Sequence, residues 1–203
     1  MLRTCRTVTP PHEVQERRSS SRAPRVSEPD STLEAGRMMN ARIAYGQVAA
    51  DLRPMLTSLE NYALRGGLER TLLELIKLRT SLINGCAYCV DMHTKIARSL
   101  GETEQRLYAV SLWRETSFYS ERERAALAWT EAVTLVNVDQ VPDDVYQVAR
   151  AQFAEEELVE LTVAIVAINA WNRVALAFRA VPGTFELNGS RRATDGSAIH
   201  RPT

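Results

Sequence analysis

The sequence predicts an all-α protein, a bundle of about seven or eight helices. Three observations point there. Between residues 38 and 187 apolar side chains recur at three- and four-residue spacing, the period of a helix with one buried face. Helix start and stop signals punctuate that pattern. No stretch alternates apolar and polar residues as a half-buried strand would.

The elements follow in order. Met38 to about Asp51 carries a helical period. Pro54 suits the first turn of a helix bearing Leu56, Leu59, Tyr62 and Ala63, which Arg65-Gly66-Gly67 ends. Glu69 to Ile83 is apolar on most sides (Leu72, Leu73, Leu75, Ile76, Leu78, Leu82), so it belongs at the centre of the fold. Asn84-Gly85 breaks it. A further helix runs from about Cys86 to Leu100, with Gly101 as its stop. Thr103 caps a short helix through Val110. Ser120 and Glu123 form a capping box for a helix to about Leu135. Pro142-Asp143-Asp144 opens another through Ala151. Glu155-Glu156-Glu157 set negative charge at the positive end of the last long helix, which reaches about Phe178 before Val181-Pro182-Gly183.

Residues 1–37 and 188–203 read as disordered tails flanking one helical domain, 38–187. The first tail is rich in Ser, Pro and Arg, and its few apolar residues have no period, so burial cannot repay the cost of ordering. The periodic sequence begins at Met38 and Met39, and either could be the true start. The tail has no apolar segment of the secretory kind. The chain carries 25 Lys+Arg and 25 Asp+Glu, a net charge of zero, with no excess of cations for a nucleic-acid surface. Asn169, Asn172 and Arg173 interrupt the longest apolar run, so no membrane span is expected. Three cysteines and no secretory signal point to a reducing, cytoplasmic compartment.

The chemistry is concentrated in Cys86-Ala87-Tyr88-Cys89-Val90-Asp91-Met92-His93. The remaining Cys5, His12 and His200 lie in the tails. Cys86 and Cys89 are i,i+3 and Cys89 and His93 are i,i+4, so all three share one helical face. The helix start favours a thiolate, and His93 is a base within reach of Cys89. Such a dithiol suits thiol–disulfide or peroxide chemistry, with a reversible Cys86–Cys89 disulfide. Three blander readings compete. A closed zinc site needs four ligands, and Glu74 is the one obvious addition to this Cys, Cys, His set. A structural disulfide is disfavoured in a reducing compartment. Inert buried thiols would have to share a stripe with a histidine by accident.

Glu74 lies three residues before Lys77, the spacing of a helix-surface ion pair, yet its helix is apolar enough to bury it. Burial beside titrating groups would suit it to proton-relay work. Asn169, Trp171, Asn172 and Arg173 read as an internal hydrogen-bond network or a subunit contact. Trp113 and Trp129 read as core or interface.

Glu74, eleven residues, Cys86, two residues, Cys89, three residues, His93: this spacing resembles the alkylhydroperoxidase D core of the carboxymuconolactone decarboxylase-like superfamily. So do Leu73-Glu74-Leu75-Ile76-Lys77-Leu78-Arg79, Ile83-Asn84-Gly85-Cys86, Met92-His93-Thr94-Lys95 and Ile168-Asn169-Ala170-Trp171-Asn172-Arg173. The resemblance covers about residues 40–186. It implies an obligate homo-oligomer, commonly a trimer or hexamer, and a peroxidase that needs no haem or metal. It further implies that Cys89 is the peroxidatic thiolate and Cys86 the resolving thiol. His93 and Glu74 would form the proton relay with a bound water, and a dithiol or lipoyl-type protein would restore the pair. Tyr88, a supporting residue, stands where peroxidase members carry a relay histidine, and Ile96 where many homologues carry an acid. Two alternatives accompany the peroxidase reading: a decarboxylase of a muconolactone-type substrate, and a non-catalytic redox-sensing oligomer.

Overall fold

A computed structural model describes residues 40–187. The two predicted tails lie outside the described residues. Among those described there are nine α-helices, one 3-10 segment and no strand. The helices are α1 (Tyr45–Val48), α2 (Leu52–Arg65), α3 (Arg70–Ile83), α4 (Ala87–Ser99), α5 (Glu104–Ala109), α6 (Glu121–Thr134), α7 (Val136–Asp139), α8 (Asp143–Gln152) and α9 (Glu155–Phe178). The 3-10 segment, Val110–Glu115, follows α5 directly.

The apolar circumference of α3 has a plain cause: it feeds two cores. Leu72, Leu73 and Ile76 join Ala63, Trp129, Phe153, Leu161 and Ile165 in one cluster built by α2, α6, α8 and α9. Leu75 and Leu78 join Ala97, Leu107, Val110, Trp113 and Leu127 in a second, on the side of α4 and α5. Each fully buried Leu or Ile contributes about 2 kcal/mol, so the placement of α3 is strongly fixed. Trp113 and Trp129 are core residues, as the sequence suggests.

The termini match their signals. Thr103 Oγ1 accepts from the Arg106 N–H at 3.3 Å. Ser120 Oγ accepts from Glu123 N–H at 3.3 Å, and Glu123 Oε2 accepts from Ser120 N–H at 2.8 Å, closing the capping box. At α9, Ala154 has no side-chain acceptor, and only Glu157 reaches back, to the Ala154 N–H at 2.8 Å.

Three expectations need correction. Of Met38 to Asp51, only Tyr45–Val48 is helical among the described residues. Its apolar side chains find no core: Ile43 and Val48 are exposed, and the segment is tied down by Arg42 N–H donating to the Phe178 carbonyl at 2.8 Å. The pattern also misses the 3-10 segment and α7, both too short to show a period. Finally, α9 is long and apolar enough, by length and composition, to cross a membrane. Leu158, Leu161, Ile165 and Ile168 of α9 are buried in the fold.

Candidate active site

The turn between α3 and α4 sets the cysteines. Gly85 takes φ +70°, a left-handed conformation that glycine adopts without a Cβ penalty. Cys86 is then the N-cap of α4 in extended conformation, its N–H donating to the Ser81 carbonyl at 2.9 Å. Cys86 and Cys89 are joined as a disulfide, with Cα atoms 5.4 Å apart, inside the permitted range. Both residues are 1% exposed.

The asparagine cluster holds this turn from α9. Asn84 Nδ2 donates to Asn169 Oδ1 at 3.0 Å and Asn172 Oδ1 at 2.9 Å. Asn172 Nδ2 donates to Ser81 Oγ at 3.1 Å, and Asn169 Nδ2 to Thr134 Oγ1 at 3.2 Å. Arg173 donates to Asn169 Oδ1 at 2.8 Å. This is the internal network expected of Asn169, Asn172 and Arg173. Trp171 departs from it and lines a pocket instead.

Glu74 projects from α3 onto the same site. Its Oε2 lies 2.7 Å from His93 Nδ1, and its Oε1 accepts from Lys77 Nζ at 2.8 Å. The ion pair foreseen on a helix surface is therefore buried, and the same carboxylate serves the histidine. Lys77 is the residue whose place the sequence reading missed. A cation three residues from Glu74 on an otherwise apolar helix was the available signal.

Burial opposes ionisation of Glu74, but the hydrogen bonds and charges of His93 and Lys77 outweigh it and hold the carboxyl at about 2. Glu74 is thus an anion near neutral pH and can only accept. His93 Nδ1 donates to it, and when the ring is neutral the free lone pair is on Nε2. Nε2 is buried and meets no hydrogen-bond partner among the described residues.

A folded value below the ordinary 4.5 means that the ionised state stabilises the fold. That contribution is present above about pH 4.5 and fades as pH falls towards about 2. Urea unfolding of the wild type and Glu74→Gln should differ by about 3 kcal/mol at pH 7, with the gap closing as pH falls through this window. A gap independent of pH would contradict the assignment.

Two hollows reach the disulfide. One, of about 190 Å³, is lined by Cys89, Tyr45, Tyr88, Met92, Trp171 and Phe185, with Arg53 and Glu60 also on its wall. Burial raises the Tyr45 hydroxyl above its ordinary value, the nearby Tyr88 adds to this, and Arg53 opposes it. The other hollow, of about 130 Å³, touches Cys86 and not Cys89. A larger hollow of about 410 Å³ beside Trp129 and Tyr146 contains none of the site residues. Glu74 and His93 thus form one hydrogen-bonded pair and Cys86 and Cys89 one bonded pair, linked through α4, with Tyr88 at the side of both smaller hollows.

Residues 50–132 match the model of the carboxymuconolactone decarboxylase family. The chain is 43% identical over 139 residues to the uncharacterized protein YdfG of Bacillus subtilis (strain 168), spanning 68% of this chain and 95% of that one. The chain belongs to the carboxymuconolactone decarboxylase family. Among solved structures it is similar to a protein of unknown function from Agrobacterium tumefaciens, suggested to be the antioxidant defence protein AhpD. That match has 46% identity and a TM-score of 0.69, and covers 72% of this chain and all of the other. It also shares the fold of an uncharacterized peroxidase-related protein with an alkylhydroperoxidase AhpD core from Ralstonia eutropha JMP134. There the identity is 21% and the TM-score 0.61, over 68% of this chain and 74% of the other. Membership of this family, with its AhpD-like fold, supports a peroxidase-related or decarboxylase-type function.

Proposed function

We propose that the chain is a thiol-dependent peroxidase that reduces hydroperoxides through Cys89 and Cys86. The observation that carries this reading is the His93 ring. Glu74 orients its Nδ1, the residue lies one helical turn beyond Cys89, and its Nε2 is buried without a side-chain partner among the described residues. Nε2 removes the Cys89 proton, through a water or after a small movement. The Cys89 thiolate attacks the distal oxygen of ROOH. The O–O bond breaks, RO⁻ takes the proton from His93 and leaves as alcohol, and Cys89 becomes a sulfenic acid. Cys86 displaces water from it to form the disulfide. A dithiol or lipoyl-type reductant then returns both thiols. The two sulfurs carry the redox chemistry, in a reducing compartment, without haem or metal.

Stopped-flow mixing of reduced protein with an organic hydroperoxide tests this. The expected result is loss of two thiols and release of one alcohol per hydroperoxide consumed. Thiols that survive the peroxide would contradict the reading. A muconolactone-type decarboxylase has no need of either cysteine, so its activity would persist in Cys89→Ser.

The same reading makes the chain a homo-oligomer, trimer or hexamer. It is supported by the outer face of α9, where Val159 and Val166 are about half exposed at helical spacing, with the exposed Tyr146 of α8 lining the same hollow as Val159. Light scattering at micromolar concentration should give a multiple of 22.7 kDa. A monomer mass would overturn it.

A further inference from the structure

We infer that oxidant and reductant reach the Cys86–Cys89 pair from different sides. In this inference, the hollow on the Cys86 side is the entry site for a slim thiol carrying an anionic group. It rests on the dithiol reading above, but not on which oxidant closes the disulfide. Both cysteines are only 1% exposed, so neither sulfur is met from open surface, and access depends on the hollows. The larger of the two, at Cys89, has the aromatic walls of Tyr45, Trp171 and Phe185. The smaller, at Cys86, is formed where the start of α4 meets the end of α9, with Leu176, Arg179, Ala180 and Pro182 on its wall. Tyr88 and Ala175 line both and lie between them.

Displacement at sulfur is in line: the attacking thiolate approaches along the S–S axis, opposite the leaving sulfur. A thiolate that arrives at Cys86 from the side away from Cys89 expels Cys89. The bond RS–Sγ of Cys86 forms, the Sγ–Sγ bond breaks, and the electron pair leaves on Cys89, one turn from His93. A second thiol attacks the mixed disulfide, releasing RSSR and the Cys86 thiolate. The hollow touches Cys86 and not Cys89, and we place that approach there.

Its size and charge select the donor. A volume of about 130 Å³ holds about four water-sized groups, enough for a thiol on a short unbranched chain. Among the described residues Arg179 is the one charged side chain on its wall. Arg179 ends α9 in the left-handed conformation, φ +54°, so the chain turns there. A carboxylate two or three carbons from the thiol would meet that cation.

The test uses protein oxidised with diamide, so no peroxide reaction is needed, and a failure of the peroxidase reading would not affect it. The rate with 3-mercaptopropionate relative to that with cysteamine, at equal thiolate concentration, should be about fivefold higher in the wild type than in Arg179→Asn, a comparison in which the different intrinsic nucleophilicities of the two thiolates cancel. Asparagine tolerates the left-handed backbone at position 179. Leu176→Trp, at a half-exposed position, should fill the hollow and slow reduction about tenfold or more. Reduction quenched with iodoacetamide should show mercaptopropionate on Cys86 and the alkyl group on Cys89. The reverse labelling, or a Leu176→Trp protein of unchanged helical spectrum reduced at the wild-type rate, would overturn the inference.

Discussion

Cys89→Ser should abolish hydroperoxide consumption, and Cys86→Ser should react once and stop. The sequence pits a dipole advantage for Cys86 against a base for Cys89. The structure weakens the first of these. Cys86 is the N-cap of α4 and Cys89 is its third residue, so both lie within the first turn, where the dipole acts. What separates them is His93, one turn from Cys89 and two from Cys86. A thiolate formed by the dipole alone has no group to protonate the departing alkoxide, whereas the histidine supplies both steps. Peroxide loss can be followed by a ferrous-iron assay over repeated additions of dithiothreitol. Sustained turnover by Cys89→Ser would contradict the assignment of roles.

His93→Gln should slow the oxidation of Cys89 by about 10²-fold or more, the usual loss on removing a general base. Glutamine retains a donor for Glu74, so the carboxylate keeps a partner and the fold is expected to survive. Glu74→Gln should act in the same direction through the histidine, since a neutral amide no longer requires Nδ1 to carry the proton. Stopped-flow rates across pH separate the two. The His93 variant has no ring left to take the proton, while the Glu74 variant keeps a ring that is less firmly oriented and should lose less. A His93→Gln rate within a few-fold of wild type would show that the ring plays no part in proton transfer.

Much of this site was legible because its logic is local. Cys86, Cys89 and His93 are linked by helical spacing alone, and the Asn84-Gly85 break foretold the turn that seats Cys86. Ser120 with Glu123, and Thr103, announced their helices because a cap is a contact between neighbours in sequence. What escaped depends on packing between distant segments. Lys77 is buried because α3 is enclosed by two cores, which a period cannot reveal. Tyr45, Arg53, Trp171 and Phe185 meet Cys89 from segments 36 to 96 positions away in the numbering. The first predicted helix shortened to Tyr45–Val48 for the converse reason: its period was present, but no element offers its apolar side chains a core.

The account turns on which sulfur meets the oxidant first, and trapping of the sulfenic acid reads that directly. Reduced Cys86→Ser and Cys89→Ser proteins are each exposed to one equivalent of an organic hydroperoxide with a dimedone-type probe present. The adducts are then located by peptide mass spectrometry. The account predicts a probe adduct on Cys89 of the Cys86→Ser protein, and none on Cys86 of the Cys89→Ser protein. An adduct on Cys86 in the absence of Cys89, with Cys89 unlabelled in the absence of Cys86, would contradict it.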